Sequence, residues 1–323
     1  MKGVLIAIKL RGYIEGETMA VDKKKLGLSS KYGQGKLGMG WLREHPDIRD
    51  YSPWHKSVSK RLAKTNFPNL MSRSSLMSDS SVDLRSWCSP IENQGTLGSC
   101  TAHAGVGLLE YFENKASGKY IDASRLFLYK AARNLMQVSG DTGAYIRTTM
   151  GAMVLFGIPP EKYWNYDTQM FDIEPPAFCY AFANNFKSIK YYKLDVAGVP
   201  PSDLLGIIKK HLASGLPSMF GFPIYSSINQ TGNTGKIPFP GLQETQLGGH
   251  ATVAVGFDDN IEIKNADGNM KTVGALLIRN SWGEDWGENG YGWLPYDHVL
   301  KGLAVDWWTI ISAEWVDTEN FLE

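Results

Sequence analysis

Cysteine is scarce in this chain: three residues in 323, at Cys88, Cys100 and Cys179, with no CxxC spacing among them. An odd, unclustered set argues against a disulfide scaffold and against a structural zinc site, leaving open only a single bridge between one spare pair. A surplus of charge is missing too, since 33 basic residues balance 33 acidic ones. No overall field therefore favours nucleic acid or an anionic membrane. Long apolar runs are also lacking. Val4 to Ile8 follows one lysine and breaks at Lys9, too short for a signal-peptide core or a bilayer span. With no export signal evident, a cytoplasmic location is the default expectation, and no internal repeat is visible.

The chain does carry enough apolar residues for a substantial core, 43% hydrophobic and 12% aromatic, which fits one large domain or two. Residues 1–81 differ in texture. They are rich in Lys, Gly and Ser and end in "NLMSRSSLMSDSS", a flexible-linker composition. A domain boundary near Val82 follows. The stretch "GQGKLG", Gly33 to Gly38, has the spacing of a dinucleotide-binding glycine motif, but no apolar strand precedes it and no helical pattern follows. It reads as a loop.

From Cys100 the pattern turns helical, with Ala104, Leu108, Leu109 and Phe112 on one face and Ser117-Gly118 closing the segment. Further helices are expected over Ser124–Met136, Ile146–Phe156 and Ser202–Ser214, the second of these ending at "GIPP". The remainder reads as strands in "HATVAVGF", "VGALLIRN", "GYGWLP" and "WWTIISAEW", the first two joined by a turn at Asp267-Gly268. The expectation is an α+β fold, a helical lobe followed by a mostly antiparallel β lobe.

One stretch bears chemistry. In "IENQGTLGSC" a cysteine stands at a helix start, where the helix dipole and free backbone N–H groups favour its thiolate. Gly95 and Gly98 permit a tight turn, Ser99 is placed to contribute to capping, and the Gln94 side-chain amide is suited to a developing oxyanion. A base is needed as well. His250, in "GGHATVAVGF", begins an alternating strand behind two glycines, and Asn280, at the end of the next strand, is positioned to orient its imidazole. Trp282 and Trp286 follow and are suited to excluding water. His103 should project away from Cys100 along the helix and reads as a core residue. His45, His55, His211 and His298 have no partner pattern. Cys88 and Cys179 read as inert core thiols. "DDNIEIKNADGNM" fails the helix-loop-helix calcium spacing and reads as a solvated hairpin turn, and the sequon at Asn229 means little without an export signal. No metal or cofactor is called for.

The blocks "NQGTLGSC", "GGHATVAVGF" and "NSWGEDWGENGYG" resemble, in order and spacing, the three signature blocks of papain-like cysteine peptidases, over about residues 82–315. The resemblance implies a papain-like two-lobe fold, with a helical left lobe (about 92–186), an antiparallel β-barrel-like right lobe (about 187–315) and the active-site cleft between them. It further implies Gln94 in the oxyanion hole, Cys100 as nucleophile, His250 as imidazole, Asn280 as its orienter and Trp282 as a shield. "GDTGAYIR" is similar to the segment that pairs with the substrate backbone, with Gly143 and Ala144 in contact positions. Tyr145, Ile146 and Ala304 are expected to wall a specificity pocket with Asp306 near its floor. Leu97 replaces a disulfide cysteine and Thr101 an aromatic. With "HPDIRDY", "DLRSWCSP" and "LFGIPPEKYWNYD", these departures resemble the bacterial and archaeal branch.

The function implied is that of a thiol protease, a hydrolase acting as an endopeptidase on protein or peptide substrates and made as a zymogen whose residues 1–81 act as a propeptide-like inhibitor. An exopeptidase, an acyl transferase and an inactive binding protein on the same fold are the alternatives. The oligomeric state is left open.

Overall fold

The computed structural model describes residues 37–62, 79–186, 188–266, 268 and 270–314, which lie in a unit spanning Gly35–Glu323. In chain order the elements are β1 (Trp41–Leu42), α1 (Lys56–Leu62), β2 (Ser81–Asp83), α2 (Cys100–Ser117), α3 (Arg125–Met136), β3 (Ala144–Tyr145), α4 (Ile146–Phe156) and α5 (Ala177–Ala183). Then follow β4 (Ser188–Lys193), α6 (Pro201–Ala213), β5 (Ser218–Tyr225), β6 (Gln246–Lys264), β7 (Lys271–Arg279), β8 (Tyr291–Pro295), α7 (Asp297–Leu300) and β9 (Val305–Glu314).

The middle of the chain is helical, as its periodicity predicts. Helix α2 is buried at most of its positions, because it lies between the other helices and the sheet. It stops where Gly118 turns left-handed, φ 72°, a conformation glycine adopts without steric cost. Helix α3 is capped by Ser124, whose hydroxyl accepts from the Phe127 N–H, and α4 ends at Gly157 ahead of Pro159 and Pro160. Leu108, Phe127, Leu128, Met150 and Met153 make the core between them.

The sheet runs β4-β9-β5-β6-β7-β8, with β2 added to β6, and its pairs are antiparallel. The β-barrel-like expectation is met only in its strand directions. Among the described residues the end strands β4 and β8 do not pair, so no closed barrel forms. Strands β6 and β7 pair as the sequence expects, while Asp267 of the expected turn lies outside the described residues. Strands β4 and β5 carry no clear sequence signal, and β5 contains Pro223, a residue that cannot donate to a ladder. It is tolerated because β5 pairs with β9 only through Met219 and Gly221, short of the proline. Under the sheet, Phe220 stacks on Trp307 with ring centroids 4.0 Å apart.

The region before Val82, whose periodicity is weak, contains β1 and α1. Val58 and Leu62 of α1 are buried with Tyr192, Leu194 and Leu204 in the core of the β lobe. Most of the serine-rich linker, and Gly33 to Lys36 of "GQGKLG", lie outside the described residues.

One polar cluster is enclosed beside α2. Glu110, fully buried, takes the Arg125 guanidinium at 3.1 Å, the Ser89 hydroxyl at 2.5 Å and the Ala123 N–H at 3.2 Å. Removing one partner of a buried pair leaves a charge in low dielectric. Arg125→Met should therefore lower the unfolding free energy by about 3 kcal/mol, measured by denaturant titration.

Candidate active site

Cys100 is the first residue of α2 and is fully buried. Ser99 sits at the N-cap, but its side chain makes no capping hydrogen bond. The capping expectation for Ser99 is corrected: its hydroxyl lies 2.6 Å from the Tyr166 hydroxyl and 3.3 Å from His103 Nδ1, so it is engaged sideways. Burial pushes the Cys100 thiol up to about 11, against backbone N–H groups of Ala251, Gly40, Thr101 and Cys100 itself that favour the thiolate.

The Ala251 contact puts the sulfur beside the strand that carries His250. That imidazole is fully buried, and its Nε2 lies 2.7 Å from Asn280 Oδ1. Nδ1 has no hydrogen-bond partner. Burial holds the ring down to about 4, while the Asn280 contact acts the other way. Asn280 Oδ1 also accepts from the Ser281 N–H at 2.8 Å, which fixes its direction. Trp282 stacks on His250, centroids 4.3 Å apart and planes 25° apart, and Trp286 meets Trp282 edge-on at 5.4 Å.

The Gln94 loop and the Asn280 loop are joined by backbone: the Gln94 N–H donates to Ser281 O at 2.9 Å and the Gly283 N–H to Glu92 O at 3.1 Å. Gln94 is fully buried; its Oε1 accepts from the Ser281 hydroxyl at 2.6 Å, and its Nε2 donates to Leu97 O at 2.8 Å. Tyr166 donates to Gln94 O at 3.0 Å. Asp141 accepts from the Gly98 N–H at 2.9 Å and from Tyr129 at 2.6 Å, and the Tyr129 hydroxyl accepts from the Gly143 N–H at 3.0 Å. A hydroxyl and a carboxylate thus tie the loop before the cysteine to the Gly143–Ala144 edge.

That edge is occupied by the chain itself. β1 pairs in parallel with β3, Trp41 opposite Ala144 and Leu42 opposite Tyr145. The Ala144 N–H donates to Gly40 O at 2.8 Å and the Gly38 N–H to Gly95 O at 3.0 Å. Trp282 Nε1 donates to Gly38 O at 3.2 Å. A Cβ on Gly38 would stand 2.7 Å from Gln94 Nε2, so the segment covers the amide. Trp41 fills a pocket whose walls are glycines: a Cβ on Gly221 would come within 2.0 Å of its ring and one on Gly249 within 2.9 Å.

Asp306 lies at the base of that pocket and accepts from Trp41 Nε1 at 3.1 Å and from the Glu44 N–H at 3.0 Å. Its own backbone is left-handed, φ 57°, an uncommon state for a non-glycine residue. Asp195 holds it there by accepting from the Asp306 and Trp307 N–H groups at 2.7 and 2.9 Å. Of the other expected pocket residues, Tyr145 is about one-third exposed, while Ile146 and Ala304 are fully buried.

His103 is buried with Nδ1 3.2 Å from Ser99 O, within its own helix. The one bridge the cysteines left open is absent, since Cys88, Cys100 and Cys179 are all free thiols. Among the described residues no group of three or more His, Cys, Asp or Glu is arranged for a metal, and no helix is long and apolar enough to cross a membrane. Ser281, Tyr129, Asp141, Tyr166 and the contacts of residues 38–44 were not singled out in the sequence. Ser281 stands inside the "NSWGEDW" block, Asp141 inside "GDTGAYIR" and Tyr166 inside "LFGIPPEKYWNYD", and those neighbourhoods were the available signals.

A helical lobe and a sheet meeting at a buried cysteine and a strand-borne imidazole mark the chain as a peptidase of the thiol class. The model of the papain family cysteine proteases matches residues 78–302, and the chain belongs to that family, a family of hydrolases. It is 36% identical over 224 residues to an uncharacterized peptidase C1-like protein of Acanthamoeba polyphaga mimivirus, covering 68% of each chain. It spans 59% and 37% of two further curated relatives, from Blomia tropicalis and rice. Among solved structures it superposes on xylellain, a cysteine protease from Xylella fastidiosa, with a TM-score of 0.65 and 31% identity over 87% of this chain and 97% of that one. A digestive procathepsin L2 proteinase from Tenebrio molitor shares the fold, with a TM-score of 0.59 and 18% identity over 85% of this chain and 78% of that one.

The Ser281 hydroxyl decides which end of the Gln94 amide faces the cleft. Ser281→Ala should lower kcat by roughly tenfold through loss of one orienting hydrogen bond, with the melting temperature lowered by a few degrees, because the buried Gln94 Oε1 loses its donor at a cost of about 1–3 kcal/mol, as measured by steady-state kinetics and calorimetry.

Proposed function

We propose that this protein is a cysteine endopeptidase in which Cys100 is the nucleophile, His250 the acid and base, Asn280 the residue that orients it and Gln94 the oxyanion donor, and that residues 37–62 are an inhibitory segment of a zymogen. The observation that carries this reading is the seating of Gly40 on the Cys100 thiol with Trp41 in the adjacent pocket. Gly40 turns its carbonyl to Ala144 and its N–H to the sulfur. The Gly40 group turned to the thiol is an N–H and not a carbonyl, which supports an inhibitor over a substrate.

Occlusion also sets the protonation state. With water excluded, burial raises the thiol and lowers the imidazole, and both are held neutral. When the segment leaves, solvent and the N–H groups at the head of α2 favour transfer of the thiol proton to His250 Nδ1. The thiolate then attacks a peptide carbonyl, the oxyanion is held by Gln94 Nε2 and the Cys100 N–H, and His250 protonates the departing amine. Water, deprotonated by His250, hydrolyses the thioester.

Endopeptidase action is supported by the path of the segment, which continues past the thiol on both sides, from Leu37 to beyond Glu44. A cleft open at both ends accepts the middle of a chain. The glycine-walled pocket around Trp41 supports a preference for a large aromatic side chain near the scissile bond.

Peptides blocked at both termini should be cut internally, with tryptophan enriched within about two residues of the cut, read by mass spectrometry after the segment has been removed. Trimming from the ends alone, or products carrying an added amine, would replace this reading with an exopeptidase or a transferase. Gln94→Ala should reduce kcat on the order of 10²–10³-fold while leaving the labelling of Cys100 by a thiol-directed epoxide detectable. Unchanged turnover would remove Gln94 from the oxyanion role.

A further inference from the structure

Glu44 enters the cleft with the segment and ends almost fully buried, its side chain 1% exposed. One carboxylate oxygen accepts from the Arg147 N–H; the other, Oε2, has no hydrogen-bond partner. The charged groups around it come from four directions. Its own segment brings Asp50, which holds Arg147 in two hydrogen bonds of 2.8 and 2.7 Å. Asp47 is occupied at the surface by Arg49. Helix α4 brings Arg147, 3.5 Å from Glu44 Oε2. Strand β4 brings Lys193, 3.9 Å from Glu44 but 3.2 Å from Asp306, and the turn after it brings Asp195, 3.9 Å from Lys193. Strand β9 brings Asp306, which accepts the Glu44 N–H.

Four carboxylates, Glu44, Asp50, Asp195 and Asp306, thus share two cations. Arg147 is committed to Asp50 and Lys193 to Asp306, so Glu44 and Asp195 are left without a counter-ion of their own. Asp195 accepts from the Asp306 and Trp307 N–H groups, whereas Glu44 Oε2 has no hydrogen-bond partner. Withdrawing the segment takes Glu44 and Asp50 away and leaves two carboxylates, Asp195 and Asp306, and two cations, Lys193 and Arg147, on the body of the protein. The docked state carries an excess of negative charge that the undocked state does not, and a proton relieves it.

We propose that docking of residues 37–62 takes up a proton at Glu44, so that the segment grips the cleft in acid and loosens as the pH approaches neutrality. The geometry agrees with the titration. Burial first, and then the neighbouring Asp306 charge, raise the Glu44 carboxyl from 4.5 to about 7. A group raised in the docked state stabilises docking fully below its undocked value and loses that contribution as the pH climbs to its docked value. The grip therefore weakens between pH 4.5 and about 7 and is flat above. The Glu44 proton alone gives a slope of no more than about tenfold per pH unit; Asp195, raised to about 6 by burial, keeps its place in the floor when the segment leaves. The consequence is a protease that uncovers its site on leaving an acidic medium rather than on entering one.

The inference rests on the inhibitory reading of the segment, and one experiment separates the two. Amide hydrogen exchange of Gly38 to Leu42 is followed in the full chain carrying Cys100→Ala, which prevents self-cleavage. Measurements run from pH 4.5 to 8.5 and are normalised to intrinsic exchange rates and to core amides of β6 and β7. Protection should fall by up to about tenfold per pH unit to pH 7, on the order of a hundredfold in all, and then level off. Glu44→Gln should flatten the profile, and Asp47→Asn, at the surface, should retain it. Protection that is level or rising with pH in the parent, or a slope that survives Glu44→Gln, would overturn the switch while leaving the inhibitory segment in place. Absence of protection at every pH would instead remove the inhibitory segment itself.

Discussion

The junction between the lobes depends on two backbone hydrogen bonds, from Gln94 to Ser281 and from Gly283 to Glu92. They fasten the loop that leads into α2 onto the loop that leaves β7, and Gln94, Cys100, Asn280 and Trp282 hang from those loops while His250 stands on the neighbouring strand β6. Side chains then fix directions within that frame. Ser281 faces Gln94, Asn280 faces His250, and the Trp282 ring lies over the imidazole. Hydrogen bonds sheltered by tryptophan are strong because the local dielectric is low, and for the same reason a group left unpaired there is costly. That condition applies to His250 Nδ1, which waits without a partner.

The segment across the cleft exploits the same low dielectric. It approaches through glycines at Gly38 and Gly40 and is received by glycines at Gly143, Gly221 and Gly249, so main chain meets main chain where side chains would keep them apart. Burial pushes the thiol and the imidazole towards their neutral forms, while the Gly40 N–H of the segment acts the other way on the sulfur. The rim of the cleft is built differently, with carboxylates and cations in unequal number, and there the balance is open to the medium.

The helices and the β6–β7 hairpin were legible because their signals are local: Ser124 caps, Gly118 and Gly157 stop, and alternation marks the hairpin. Cys100, His250, Asn280 and Gln94 were legible as an ordered set of residue types, and the fold brings their chain segments together as that order implies. Strands β4 and β5 were not, since their pairing is with distant strands and Pro223 reads as a breaker until its edge is seen to be unpaired with β9. Ser281, Asp141 and Tyr129 act on the site through another residue, which leaves no pattern in the chain. The resemblance implied an inhibitory segment within residues 1–81, but the particular residues that dock, 37–50, were invisible for a related reason. Their contacts are made by backbone, by one tryptophan and by one buried glutamate, none of which forms a periodic signal.

Helix α1 is seated by Val58 and Leu62 in the core of the β lobe, and the chain continues from there to β2. While that connection is whole, the plug and the cleft are one molecule, and redocking occurs at an effective concentration on the order of millimolar, whatever the amount of protein present. Once the connection is severed, occupancy becomes a matter of dilution. The continuity of the chain between Leu62 and Ser81 then decides whether the protein's own concentration has any bearing on how often the cleft is covered.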